Sequence, residues 1–173
     1  MKKISINQIS DVIDKTIERL KSQNSKHINL LFVGEACIGK SDAINNWFED
    51  HQEYKKYYLT CAPCGHFNEN NIFIKDKDLN GKIIYGCVGN NEVDRLNNKK
   101  TIAIIDHLNK YTSEQIKSFE SVIINRRCVD DTIELGNLKL IIAIAYPETK
   151  DYNVTNIDYL KNYFDIYEVC RQW

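Results

Sequence analysis

Gly34-Glu35-Ala36-Cys37-Ile38-Gly39-Lys40-Ser41 follows the apolar run Ile28-Asn29-Leu30-Leu31-Phe32-Val33 and precedes a segment of helical character, Asp42 to His51. A strand, a G-x-x-x-x-G-K-[ST] loop and a helix, in that order, make a phosphate-cradling arrangement. Each residue type has a physical task. Gly34 and Gly39 let the backbone curl so that successive N–H groups point inward at phosphate oxygens. The N-terminus of the following helix adds positive potential, Lys40 has the reach for β- and γ-phosphates, and the Ser41 hydroxyl suits a magnesium ion. The candidate nucleotide-binding residues are therefore Gly34, Glu35, Ala36, Cys37, Ile38, Gly39, Lys40, Ser41 and Asp42.

The second half of such a site needs an acid at the tip of a buried strand, placed to hold the same magnesium. Thr101-Ile102-Ala103-Ile104-Ile105 is a near-continuous apolar run that ends in Asp106. Runs of this kind suit a central parallel strand buried on both faces. Ser41 and Asp106 are thus the candidate metal ligands.

Outward from these two stretches, strands and helices alternate. Ile6, Ile9, Val12, Ile13, Ile17 and Leu20 recur at helical spacing, which predicts an amphipathic helix over about 6–23. Short strands are expected at 57–59, at 138–145 (closed by Pro147) and at 166–169, with one or two helical turns over 156–163. Thr112 and Gln115 form a capping-box pair that opens a helix through Ile116, Phe119, Val122 and Ile123. Residues 72–74 and 82–88 read as one hairpin and 128–135 as another, with a turn at Asn97-Asn98-Lys99-Lys100. The pattern predicts one α/β domain over 1–173, a three-layer sandwich around a mainly parallel five-stranded sheet, with residues 1–27 as an N-terminal helix and link.

Composition agrees. The chain is 43% hydrophobic and 27% charged with net charge −1, ordinary for a soluble globular domain. That balance gives no clear nucleic-acid signal, and aromatics are not interleaved with a basic run. The apolar run 140–146 is too short to span a membrane, and no secretory leader follows Met1-Lys2-Lys3. A cytoplasmic protein is the expectation.

The motifs, taken in order, resemble those of the AAA+ ATPases, in particular their MoxR-like and dynein-related branch. Ile104-Ile105-Asp106-His107-Leu108-Asn109-Lys110 is similar to the branch's Asp-Glu-Leu-Asn-Lys/Arg segment. Ser121 to Arg127 resembles its helix end and hairpin, Leu140 to Glu148 its sensor-1 strand, and Asp78-Leu79-Asn80-Gly81 its turn after the second strand. Asn162-Tyr163-Phe164 falls where the branch has Asn-Arg-Phe. The resemblance spans about residues 28–170 and implies ATP, rather than GTP, with magnesium as the cofactors. It also implies a protein partner or a homo-oligomer; there Arg126 or Arg127 has the option of acting on a neighbouring subunit's nucleotide, but solvated or paired hairpin arginines are the favoured reading.

The departures bear on chemistry. His107 stands where the resemblance implies a water-polarising glutamate, Tyr146 where it implies a sensor asparagine, and Tyr163 where it implies an arginine. The sequence ends at Trp173, about where a helical lid would begin. His107 is the candidate catalytic residue by position. A positioned base contributes about 10²–10⁴ in rate and an arginine finger about 10³–10⁵, so their replacement implies weak hydrolysis or none. The expected function is a nucleotide switch or assembly subunit. An ATPase completed by a partner and a structural module with a relic loop are the alternatives.

Six cysteines are present, and Cys61-Ala62-Pro63-Cys64-Gly65-His66 is half of a zinc-site pattern. With no second C-x-x-C, free thiols at the end of the second strand are the favoured reading; His66 and Cys87 would complete a zinc set only if the fold brought them together. A thioredoxin-like redox role would need a different sheet context from the one the phosphate loop implies.

Overall fold

The computed structural model describes residues 1–22, 27–59, 73–77, 83–87, 94–111, 113–128, 133–147 and 160–171. Its centre is a stack of apolar strands that the sequence marks as buried on both faces. These are β2 (Ile28–Val33), β6 (Thr101–Ile105) and β9 (Leu140–Ala145). Side chains alternate between faces at a period of two, and each face belongs to a separate core. Leu31, Ala103, Ile105, Ile141 and Ala143 join Ile116, Phe119, Val122 and Ile123 of α3 (Ser113–Asn125). Leu30, Phe32, Ile102, Ile104, Ile142 and Ile144 join Ile9, Ile13 and Ile17 of α1 (Ile9–Ser22) and Ile44, Trp47 and Phe48 of α2 (Lys40–Asp50). Helices on both faces of one sheet give the three-layer sandwich. Truncating a core residue such as Phe119, which is fully buried, would cost about 3–5 kcal/mol.

The sheet has six strands, all parallel, in the order β1-β10-β2-β9-β6-β3. Its flanking members are β1 (Lys2–Ser5), β10 (Asp165–Cys170) and β3 (Lys55–Tyr58). The fold is thus α/β and P-loop-like, as the sequence implies, but with one strand more than the five expected. The added strand is β1, whose residues pair with Tyr167 to Cys170. It carries two exposed lysines and sits at the sheet edge, so it lacks the apolar signature of an interior strand. Ser5 then leads into a single 3-10 turn, Ile6–Gln8, whose Gln8 Oε1 accepts from the Ser5 N–H (2.8 Å) and its hydroxyl (3.3 Å). The amphipathic helix starts only after that turn.

Both expected hairpins are present. β4 (Phe73–Lys77) pairs antiparallel with β5 (Ile83–Cys87), and β7 (Arg127–Cys128) with β8 (Ile133–Glu134). The C-x-x-C segment with Cys61, Cys64 and His66 lies outside the described residues, as do Thr112, the 78–81 turn and Glu148. Cys37 and Cys170 are free thiols. No helix among the described residues is long and apolar enough to cross a membrane.

Candidate functional site

In an all-parallel sheet every strand ends on the same side, and the loops there share one crevice. Gly34 follows β2, Asp106 follows β6 and Tyr146 follows β9, which lies between the other two. Residues far apart in sequence therefore meet at the carboxyl edge of three adjacent strands.

The Gly34 N–H donates to Ala145 O (3.2 Å), continuing the β2–β9 ladder by one residue. A Cβ at Gly34 would lie 2.6 Å from Val169 O and 2.9 Å from Ile38 Cδ1, so β10 leaves room for glycine alone. Gly39 caps α2 from the left-handed region at φ +94°, where side chains other than hydrogen are strained. Cys37 shares that region at φ +57°. Glu35, Ala36, Cys37 and Asp42 are exposed, and Ile38 and Ser41 are half-buried. The Ala43 N–H to Gly39 O bond (2.9 Å) closes the first turn of α2, and Asp42 adds negative charge to that turn.

Lys40 is 5% exposed. Its Nζ donates to Gly34 O (2.7 Å) and Glu35 O (2.6 Å), filling the loop with its own ammonium group. Burial pushes the Lys40 pKa below its ordinary value, with Asp106, Cys37 and Glu35 acting in the opposite direction. The same ammonium lies 5.0 Å from the centroid of the Tyr146 ring, within cation–π range.

Ser41 Oγ donates to Asp106 Oδ2 at 3.5 Å, a long bond. The other oxygen, Asp106 Oδ1, is buried and has no hydrogen-bond partner. His107 Nδ1 approaches it to 3.0 Å but out of hydrogen-bonding alignment. A buried carboxylate oxygen left without a donor is costly, by about 1–3 kcal/mol or more for a charged group. A cation removes that cost. Ser41 and Asp106 therefore fit magnesium, which takes one or two protein oxygens and fills its octahedron with water and phosphate. Among the described residues there is no cluster of three or more His, Cys, Asp or Glu that could hold a metal ion.

His107 itself is in the left-handed region (φ 57°, ψ 40°), which turns the chain into the 3-10 segment Leu108–Lys110. The Lys110 N–H donates to His107 O (2.8 Å). Asn109 is buried, and its amide bonds the main chain of Tyr146 twice, Nδ2 to Tyr146 O (3.0 Å) and Oδ1 from the Tyr146 N–H (3.1 Å). That pair fixes the loop after β6 to the loop after β9. The Tyr146 ring then packs against the His107 ring at 5.2 Å, and Lys110 Nζ lies 5.0 Å from its centroid.

No family model matches the sequence, and no curated protein matches it. Among solved structures, the chain is similar to one titled for DNA unwinding at forked double-stranded DNA by two coordinating Pif1 helicases. The identity is 14% and the TM-score 0.46, covering 96% of this chain and 43% of that one. This chain thus spans less than half the length of that structure.

The other arginine and aromatic candidates lie elsewhere. Arg126 is 4% exposed and points into the protein, bonded there and not solvated, so it is not placed to reach a neighbouring subunit. Its guanidinium donates to Leu138 O (2.9 Å), Val122 O (3.0 Å), Ile123 O (2.8 Å), Ile28 O (3.1 Å) and Asn29 Oδ1 (2.7 Å). Leu138, Ile28 and Asn29 lie at the amino ends of β9 and β2, and Val122 and Ile123 in the last turn of α3. Arg127 pairs with Glu134 across the β7–β8 hairpin (2.7 Å). Tyr163 is 46% exposed and precedes β10, also at the end opposite the phosphate loop. Asn109 and Lys110 carry site geometry that the motif alone did not assign. A polar residue and a cation three and four positions after the strand-tip acid were the available signal.

Proposed function

We propose that this chain is a nucleotide-binding domain of the AAA+ type. It takes ATP in preference to GTP, with magnesium on Ser41 and Asp106. It hydrolyses that nucleotide slowly or not at all, serving as a switch or as a subunit of a larger assembly. The observation that carries the reading is the orphaned Asp106 Oδ1 beside the Ser41 hydroxyl, at the mouth of a loop whose lysine is held on main-chain carbonyls. Such a loop has its donors and its cation in place, and a nucleotide's phosphates supply the acceptors they suit.

The family resemblance of the motifs supports ATP and a partner protein. Weak turnover is supported by what occupies the reacting positions. His107 Nδ1 faces the Asp106 carboxylate, Tyr146 occupies the position after β9, and Arg126 is committed to the interior. Without a positioned base or an arginine finger, the corresponding factors of about 10²–10⁴ and 10³–10⁵ in rate are missing.

Thermal melts with ATP, GTP and ADP, with and without magnesium, test binding. Ligand at about 100 times its dissociation constant stabilises by roughly 2.7 kcal/mol. The expected result is a magnesium-dependent upward shift with ATP that Lys40→Ala abolishes. No shift with any nucleotide would overturn the binding claim. A robust ATPase rate in the isolated protein, lost in Lys40→Ala, would overturn the claim of weak hydrolysis.

A further inference from the structure

We propose that His107 is a third metal ligand of this site, and that it makes the site prefer a first-row transition ion such as Mn²⁺ or Co²⁺ to Mg²⁺ beside the nucleotide. The inference rests on the nucleotide-binding reading and adds to it the identity of the metal.

The geometry starts from one carboxylate. Asp106 Oδ1 is buried and has no hydrogen-bond partner. His107 Nδ1 lies 3.0 Å from it, yet no hydrogen bond joins the two. Two ligand atoms at right angles on an octahedral ion, each about 2.1 Å from the metal, stand about 3.0 Å apart, with lone pairs aimed at the ion and not at one another. Shared ligation thus accounts for a short contact that is not a hydrogen bond. The other carboxylate oxygen meets Ser41 Oγ at 3.5 Å, so hydroxyl, carboxylate and imidazole are contiguous. These groups do not make a cage of their own. The remaining positions fall to water and the nucleotide's phosphates, as is usual for a metal bound with a nucleotide.

The imidazole is held ready. The left-handed backbone at His107 (φ 57°, ψ 40°) is fixed by the Lys110 N–H on its carbonyl (2.8 Å). Its ring packs against the Tyr146 ring at 5.2 Å, and Asn109 holds the Tyr146 main chain through two bonds. A ligand oriented before the metal arrives binds with less ordering cost. The donor then decides the metal. Mg²⁺ is hard and takes oxygen, whereas imidazole nitrogen favours first-row transition ions, with affinity rising from Mn²⁺ through Co²⁺. A histidine committed to the metal is also withdrawn from acting as a base on water, in keeping with slow hydrolysis.

The test is binding of a non-hydrolysable ATP analogue to the full chain in Mg²⁺, Mn²⁺ or Co²⁺, comparing wild type with His107→Asn. Asparagine tolerates the left-handed backbone and offers oxygen in place of nitrogen. Losing even an outer-shell partner weakens metal binding about 10–100-fold, so losing a ligand should cost at least as much. The expected result is that wild type holds the analogue at least about tenfold more tightly with Mn²⁺ or Co²⁺ than with Mg²⁺, and that His107→Asn loses this preference. Pulsed EPR of the wild-type Mn²⁺ complex gives a readout that does not depend on how the variant folds. Hyperfine coupling to an imidazole nitrogen should be present, and should change when the protein's histidines are isotopically labelled. An Mn²⁺ complex without histidine-nitrogen coupling overturns the inference and leaves the nucleotide-binding reading intact, as does the same metal preference in wild type and variant. Wild type that binds no nucleotide with any of these metals overturns both.

Discussion

Replacing Arg126 by methionine measures what holds the amino end of the sheet together. Methionine keeps a long apolar stem, and it stays in the same left-handed backbone conformation (φ 55°) that arginine already adopts there. The strain of that conformation therefore cancels in the comparison. What changes is the guanidinium and its five bonds. Val122 O retains the Arg126 main-chain N–H (3.2 Å) and Ile123 O retains Asn29 Nδ2 (3.1 Å). Leu138 O, Ile28 O and Asn29 Oδ1 lose their guanidinium donor. At about 1–3 kcal/mol for each buried acceptor weakened in this way, the gross cost is several kcal/mol. Part returns because a buried charge with no carboxylate partner is itself unfavourable, and burial lowers the Arg126 pKa to about 9. The net loss is about 3 kcal/mol, or roughly 6–12 °C in Tm for a chain of this size. The pH dependence follows from the sign of that shift. The folded-state value lies below the unfolded one, so the folded chain binds fewer protons from about pH 9 upward, and wild-type stability gains with pH there. The deficit of Arg126→Met is therefore flat below about pH 8 and widens above 9. Thermal and urea melts at pH 7 and pH 9.5 check both points. A variant melting within 2 °C of wild type at pH 7, roughly 1 kcal/mol or less, would refute the reasoning.

Further outcomes concern the phosphate end. Gly34→Ala places a Cβ 2.6 Å from the Val169 carbonyl, an atom fixed in β10, so the loop must shift; we expect a loss of about 1–3 kcal/mol in thermal melts, together with loss of the ATP-dependent shift. Asn109→Ala removes both bonds to the Tyr146 main chain, and should cost about 1–3 kcal/mol and weaken nucleotide affinity without touching the loop, as read by melts and titration. The lowered Lys40 pKa means its ammonium is lost earlier on the alkaline side than that of an exposed lysine, so nucleotide affinity should fall as pH rises, with protons taken up on binding there. Calorimetry in buffers of different ionisation enthalpy reads that proton uptake directly.

Much of this arrangement was legible from residues alone, for a physical reason. Strands β2, β6 and β9 are apolar on both faces, and only a doubly covered parallel sheet accommodates such runs, so the sandwich and the strand-tip position of Asp106 follow from pattern. The loop is legible because its glycines are needed where a Cβ would collide or φ is positive. β1 was not legible. Its four residues are half exposed, and its partner, β10, lies at the other end of the chain. Nor could the pair Arg126-Arg127 be told apart. One arginine is interior and the other forms a surface ion pair, and the deciding feature is a positive φ at Arg126 that turns its side chain under the sheet. Tyr146 with Lys110 depends on two loops meeting across β9, which no local window of sequence contains.

The two ends of the sheet offer a contrast that bears on function. At the amino end, Asn29 and Arg126 are both buried, and their groups meet partners across β2, α3 and the approaches to β9 and β10. That is how a polar cluster looks when its purpose is to hold elements together, since a half-satisfied network is worse than an apolar one. At the carboxyl end the pattern is reversed. Asp106 Oδ1 is buried without a donor, Ser41 meets the same carboxylate only at 3.5 Å, and Lys40 rests on carbonyls that belong to its own loop. Cys37 and His107 hold left-handed backbone conformations there, each at a cost of order 1 kcal/mol. The same chain that satisfies its buried polar groups so completely at one end leaves them short at the other. The shortfall is of one kind: a cation for Asp106 and an anion for Lys40. A magnesium-bound phosphate supplies both at once, which is why the unpaired end is the one to test with nucleotide.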